Sequence, residues 1–281
     1  MCLNGTEDNS RCTGKSNHLV KQWTLQRFLL SVVTLALLLL IINQLLSHVG
    51  LRNSLNTMFL SQVLLVLIVS PYFSSRALAN QFNFTSSDEL VTLSSIRSTP
   101  TLGPIVVGSQ VTLMFFLVLS TLAMVLFNES SRDVSFTKLL SYYGVLLATV
   151  FSSSLIGVLG WRFFCNEIHA VQFAYVASLL MISGVFMLSL PNRYLGTLTV
   201  LGRFSVIPVF LYINPLVAVC QILDIDIFRV PHLYELTPLP SYVYFYPKWY
   251  AVCGFQVVLG LCCLLLVSRL GFVKGFRHDK A

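Results

Sequence analysis

Charge is what this sequence has least of. Only 10% of its 281 residues are Asp, Glu, Lys or Arg, while 56% are hydrophobic; an ordinary soluble domain carries roughly 25% charged residues. A soluble chain of this length would bury a core and still need a charged surface. There are too few charges here to cover one, which excludes a water-soluble globular protein. Basic clusters are missing as well. The net charge is +7, but the 18 basic residues stand singly between apolar runs, with no Lys/Arg patch interleaved with aromatics, so nucleic acid is not an expected partner. They read instead as loop charges that orient helices in a bilayer. The seven cysteines (Cys2, Cys12, Cys165, Cys220, Cys253, Cys262 and Cys263) show no metal-ligand spacing. Those in apolar stretches suit small packing residues, with a disulfide or reactive thiol as the alternative.

The motifs of chemistry are absent too. Thr13-Gly14-Lys15-Ser16 has the tail of a phosphate-binding loop, but Asn9 stands where the motif needs its first glycine, and no strand precedes it. No cofactor is expected, and any ATP hydrolysis must come from another chain. Asp224 and Asp226 have no second aspartate cluster to share a metal with, and alternate helical residues point to different faces. Glu167 and His169 read as solvated loop residues. No catalytic, cofactor-binding or metal-binding residue is predicted. Internal repeats and low-complexity segments are lacking as well. The first apolar run begins near Phe28 behind a polar stretch and has no small-residue cleavage site, so it is expected to span rather than to be removed.

What is present is long apolar runs. A spanning helix needs about 20 mostly apolar residues, and seven windows free of Asp, Glu, Lys, Arg and His qualify: Phe28–Ser47, Asn53–Ser75, Ser98–Asn128, Leu139–Trp161, Ala170–Asn192, Phe204–Leu223 and Trp249–Ser268. The sixth is interrupted by Pro208 and by Asn214-Pro215, and each proline removes a helix hydrogen bond. A broken apolar segment of this kind suits a re-entrant or interfacial element. With six spans and both ends inside, the cytoplasmic regions hold Arg11, Lys15, Lys21, Arg27, Arg76, Arg97, Arg162, Arg269, Lys274, Arg277 and Lys280, which is 11 of the 18 basic residues. A seventh span would put the basic tail outside, against the positive-inside tendency. The predicted fold is therefore all-α and polytopic. It has a cytoplasmic tail over 1–27, a transmembrane domain over 28–268 and a basic cytoplasmic tail over 269–281. Leu19, Val20 and Trp23 among basic neighbours fit a short helix on the inner membrane surface, with a disordered tail as the alternative. Tyr142, Tyr143 and the group Tyr242–Tyr250 fall where interfacial aromatics settle, or pack between helices.

The loop from Arg76 to Gln110 is the most informative stretch. Phe84–Ile96 is a helical candidate, with Ser86 or Ser87 as N-cap and Asp88 and Glu89 in the first turn. Leu90, Leu93 and Ile96 give it one apolar side. Thr99-Pro100 ends it, and Gly103-Pro104 turns the chain toward the third span. The expectation is a short cytoplasmic helix, about 84–98, between two spans.

That arrangement resembles the permeases of type-2 ABC transporters, whose second and third helices are joined by a short coupling helix. Thr92, Ile96, Thr99-Pro100, Ile105-Val106 and Gly108 sit in register with the family pattern or one residue off. The six spans, the polar loop at 128–137, Ser152–Gly157 in the fourth helix, Asn214-Pro215 before the last span and the basic tail also correspond. The chain departs from the pattern where Ser87 replaces a glutamate, Val91 a glycine, and Ser109 and Gln110 a lysine. The resemblance implies an exporter permease in the cytoplasmic (inner) membrane, paired with a second permease subunit and with ABC ATPase subunits. Asp88, Glu89, Thr92, Arg97, Thr99 and Pro100 would then contact the ATPase. A non-transporting membrane scaffold and a membrane-embedded lipid enzyme are the alternatives; the second should show ionisable residues clustered at one membrane depth, and the spans carry none.

Overall fold

A computed structural model describes residues 30–48, 54–87, 102–127, 135–164, 167–183, 208–226 and 246–278, all helix apart from short connections. The chain forms two compact units, Met1–Ile41 and Ile42–Ala281. In the first, the described residues are 30–41, the larger part of α1 (Leu30–His48), which exposes Leu30, Val33, Leu37, Leu40 and Ile41. Its continuous apolar composition makes it long enough to cross a bilayer.

The second unit is a helix bundle built from α2 (Ser54–Ser87), α3 (Leu102–Phe127), α4 (Phe136–Phe164), α5 (Glu167–Ser183), α6 (208–213), α7 (Pro215–Ile222) and α8 (Trp249–His278). Together with α1, three of these (α2, α4 and α8) are long and apolar enough to span a membrane, and α3 and α5 contain shorter apolar stretches, Gln110–Leu126 and Ile168–Ser183. The chain is thus an all-α protein whose long apolar helices fit a multi-span membrane protein. Helix α4 is the hub, packing chiefly against α2, α5 and α8. The stretch of α4 from Ser141 to Gly160 is mostly buried, whereas α3, α5 and α8 turn Val111, Phe115, Leu119, Val176, Leu180, Val258, Leu261 and Leu265 outward. Such faces suit hydrocarbon, not water.

Side-chain contacts give the helix directions. Phe59 and Gln62 of α2 meet Tyr142 of α4, Ser70 meets Val150, and Ser75 meets Gly157. Both numbers rise together, so α2 and α4 run parallel. On α8, Trp249 lies against Gly144, Gln256 against Ser152, and Gly260 against Phe151 and Leu155, so α8 is also parallel to α4. Helix α3 is antiparallel to α2, because Gln62 meets Ser120 and Thr121 while Ser70 and Ser74 meet Gln110. Helix α5 returns along α4, with Phe164 beside His169 and Gly160 beside Ala170 and Phe173. The bundle therefore has a Lys138 end and an Arg162 end.

Two local expectations change, and one open alternative is decided. Helix α2 does not stop near Ser75; it continues through Arg76 to Ser87, so Phe84–Ser87 are its last turn and not the start of a separate helix. Arg76 ends the apolar window but not the helix. Residues 76–87 contain neither Gly nor Pro, and good formers such as Ala77, Leu78 and Ala79 let the helix propagate. Gly103 and Pro104 lie in the first turn of α3 and do not precede it; proline is tolerated there because first-turn N–H groups lack helical partners anyway. Tyr142 is buried between helices, not placed at an interface. The remainder of the expected coupling helix, 88–98, lies outside the described residues, as do the tails at 1–27 and 279–281.

Candidate functional site: a polar seam and a broken helix

The interior of the second unit is lined with neutral polar side chains that hold the helices to one another. Three glutamines do most of this. Gln62 donates from Nε2 to Ser120 Oγ at 2.8 Å and Thr121 Oγ1 at 3.0 Å, and its Oε1 lies 2.5 Å from the Tyr142 hydroxyl, joining α2, α3 and α4. Gln110 donates to the Ser70 carbonyl oxygen at 3.1 Å and to Ser74 Oγ at 2.9 Å, and accepts from Ser70 Oγ at 2.9 Å, joining α3 to α2. Gln256 accepts from Ser152 Oγ at 2.5 Å and donates to the Ile213 carbonyl oxygen at 2.6 Å, joining α8, α4 and α6. All three glutamines are buried. A buried amide without partners would cost 1 kcal/mol or more; here both ends of each amide are used.

The third of these bonds covers a break in the chain. Between α6 and α7, Asn214 has φ −90° and ψ 109°, off the helical region, and Pro215 opens α7. Asn214 Oδ1 accepts from the Leu216 N–H at 2.9 Å, which caps α7, and its Nδ2 donates to the Ile182 carbonyl oxygen at 3.1 Å near the end of α5. Backbone freed by proline inside a bilayer must be covered by protein or water. Gln256 and Asn214 do that. The break stands beside Ser152, close to the middle of α4. From there α7 runs to the Lys138 end, where Gln221 Oε1 accepts from the Trp249 N–H at 3.2 Å and Asp224 pairs with Lys138 Nζ at 2.7 Å. Its direction is therefore opposite to α4 and α8.

Close backbone contact completes the seam. A Cβ on Gly157 would lie 2.3 Å from the Pro71 carbonyl oxygen, so α2 and α4 cross where both carry small residues. Ser152, Ser153 and Ser154 are buried on the same helix. The seam contains no charged side chain among the described residues, and no group of His, Cys, Asp or Glu there could hold a metal.

Compared with known proteins, the chain matches no family model, no curated sequence and no solved structure. The site must stand on its own geometry.

The residues expected to contact an ATPase, Asp88, Glu89, Thr92, Arg97, Thr99 and Pro100, all fall outside the described residues. Gln110, one of the two residues in place of the family lysine, turns into the bundle toward Ser70 and Ser74. Asp224 and Asp226 part company: one pairs with Lys138, and the other accepts from the Tyr246 hydroxyl at 2.8 Å. Glu167 and His169 belong to the first turn of α5 and not to a loop. The sequence pattern does not single out Gln62, Gln110 or Gln256, because its windows are defined by freedom from charge and an amide passes that test. A lone amide in an apolar span is the signal that finds them, since a polar side chain in hydrocarbon must be bonded to a neighbouring helix.

Proposed function

We propose that this chain is the permease subunit of an ABC exporter. It would form the substrate path with a second permease subunit and couple to separate ATPase subunits that hydrolyse ATP. The supporting observation is the direction of the helices. Helix α5 runs toward the Lys138 end and α8 starts from that end, parallel to α4. A single crossing between them would have turned α8 the other way. On this reading the broken segment around Asn214 re-enters the membrane and leaves on the side it came from, so that Asn214-Pro215 precedes the last of six spans, as in the type-2 resemblance. The reading has six spans with the Arg162 end cytoplasmic. Arg76 and Arg269 gather at that same end with Arg162, in keeping with the positive-inside tendency.

The mechanical part follows. Helix α2 extends past the apolar region to Ser87, so a push on the chain just beyond it would be carried along a continuous helix into the Gln62 and Ser70 clusters. ATP binding that draws two ATPases together would thus move α2 as a rigid element. The test is charge reversal just beyond that helix. Asp88→Lys with Glu89→Lys should leave insertion and amount unchanged. It should abolish co-purification with the ATPase, or retain binding while losing transport-linked hydrolysis. A matched reversal at Glu129 and Asp133, at the other end, should do neither. Equal effects at both places would defeat the coupling role, and a chain that captures no ATPase at all would favour the scaffold.

A further inference from the structure

Helix α7 ends in a tight turn that glycine usually occupies. The Ile225 N–H bonds to the Cys220 carbonyl oxygen at 2.8 Å and the Asp224 N–H approaches that of Gln221 at 3.4 Å, the paired closure in which the residue after the cap is left-handed. That residue is Asp224, with φ +56°, and no other described non-glycine residue has positive φ. Aspartate enters this region more readily than most residues, yet glycine would enter it freely. The carboxylate supplies what glycine cannot. Asp224 Oδ2 lies 2.7 Å from Lys138 Nζ, in the first turn of α4, where a negative charge is also favoured by the helix end.

The contacts holding α7 differ in exposure. At mid-depth, Gln256 and Asn214 tie its start to α8, α4 and α5 through buried or part-buried bonds. Along its length Pro215–Cys220 and Ile222 are buried. At the Lys138 end the bonds from the Trp249 N–H to Gln221 and from the Tyr246 hydroxyl to Asp226 are part-buried, while the ion pair is open to solution, with side chains 41% and 77% exposed. It is therefore the contact that salt, or a partner's charge, reaches first.

We propose that Lys138 and Asp224 form an ionic clasp that keeps α7 seated at the Lys138 end of the bundle, and that releasing it lets α7 lift while its start stays tied at Asn214. The inference uses only the described helices and does not depend on the exporter reading. Cys220, buried within α7, reports the state directly. The experiment uses the full chain in nanodiscs, with the other cysteines replaced by serine and a membrane-impermeant maleimide as probe. Cys220 should react slowly in the parent chain. Asp224→Asn, Asp224→Gly and Lys138→Gln should each raise the rate about three- to fivefold, as losing an exposed ion pair of ordinary strength would. Lys138→Arg should keep the parent rate. Sodium chloride at about 1 M weakens a solvent-exposed ion pair, so it should raise the parent rate and leave the three variants unchanged. If Asp224→Gly protects Cys220 as well as aspartate does, the position serves the turn alone and the clasp is refuted. A parent rate insensitive to salt would refute it equally.

Discussion

At the scale of single residues, the interior is decided by small and neutral polar side chains. Large apolar ones fill the rest. The crossing of α2 and α4 shows why. Pro71 cannot donate a backbone hydrogen bond, and its carbonyl oxygen lies so close to Gly157 that a Cβ there would be 2.3 Å away. Backbone cannot yield as a flexible side chain does, so Gly157→Ala must push the helices apart. The bonds from Ser75 Oγ to the Gly157 carbonyl oxygen and from Ser70 Oγ to that of Val150 would stretch with them. We expect a loss of about 1–3 kcal/mol, the usual range for overpacking, read as a lower unfolding midpoint in mild detergent. Gly254→Ala is the control: it lies on α8, has nothing within 4 Å of a new Cβ, and should be neutral or slightly stabilising because alanine favours helix. Equal effects at the two glycines would show that α2 and α4 do not meet this closely at Gly157. The sequence marks the 152–157 run as notable but says nothing of its partner, since close approach depends on which helix faces it.

At the scale of elements, the apolar windows located the helices well and their ends poorly. A charge such as Arg76 closes a hydropathy window, yet Arg76 hydrogen-bonds back to Tyr72 one turn earlier and the helix runs on. The prolines were legible where they broke a helix at Asn214-Pro215, but not at Pro71, which α2 absorbs. Periodicity could not supply helix directions at all, because they reside in pairs such as Gln256 and Ser152. Those directions make a labelling prediction. Single cysteines at Arg132, Lys138, Asp224 and Lys248 should all react from one face of a sealed membrane. Cysteines at Arg162 and His278 should react only from the other. Arg132 and His278 appearing on the same face, or Lys138 and Lys248 on opposite faces, would mean that the chain crosses once between α5 and α8.

At the scale of the whole molecule, the scarcity of charge and the direction of the polar groups point the same way. The glutamines of α2, α3 and α8 spend both ends of their amides on neighbouring helices. The outward faces of α3, α5 and α8 are apolar. Polar groups already bonded to one another are costly to redirect toward a passing solute, because each broken bond inside the bilayer averages about 0.6 kcal/mol and several would break together. One copy's seam is therefore better suited to holding helices than to carrying cargo. If the protein exports anything, the path should lie between this chain and a second transmembrane subunit. We expect the complex captured through the ATPase, released intact from nanodiscs and weighed by native mass spectrometry, to contain two permease-type subunits. These would be two copies of this chain or one copy with a different partner. A complex with a single transmembrane chain that still couples hydrolysis to export would force the path back through the seam. Gln62→Leu and Gln256→Leu would then abolish export, whereas a purely structural seam predicts that each lowers stability and leaves transport per folded molecule intact.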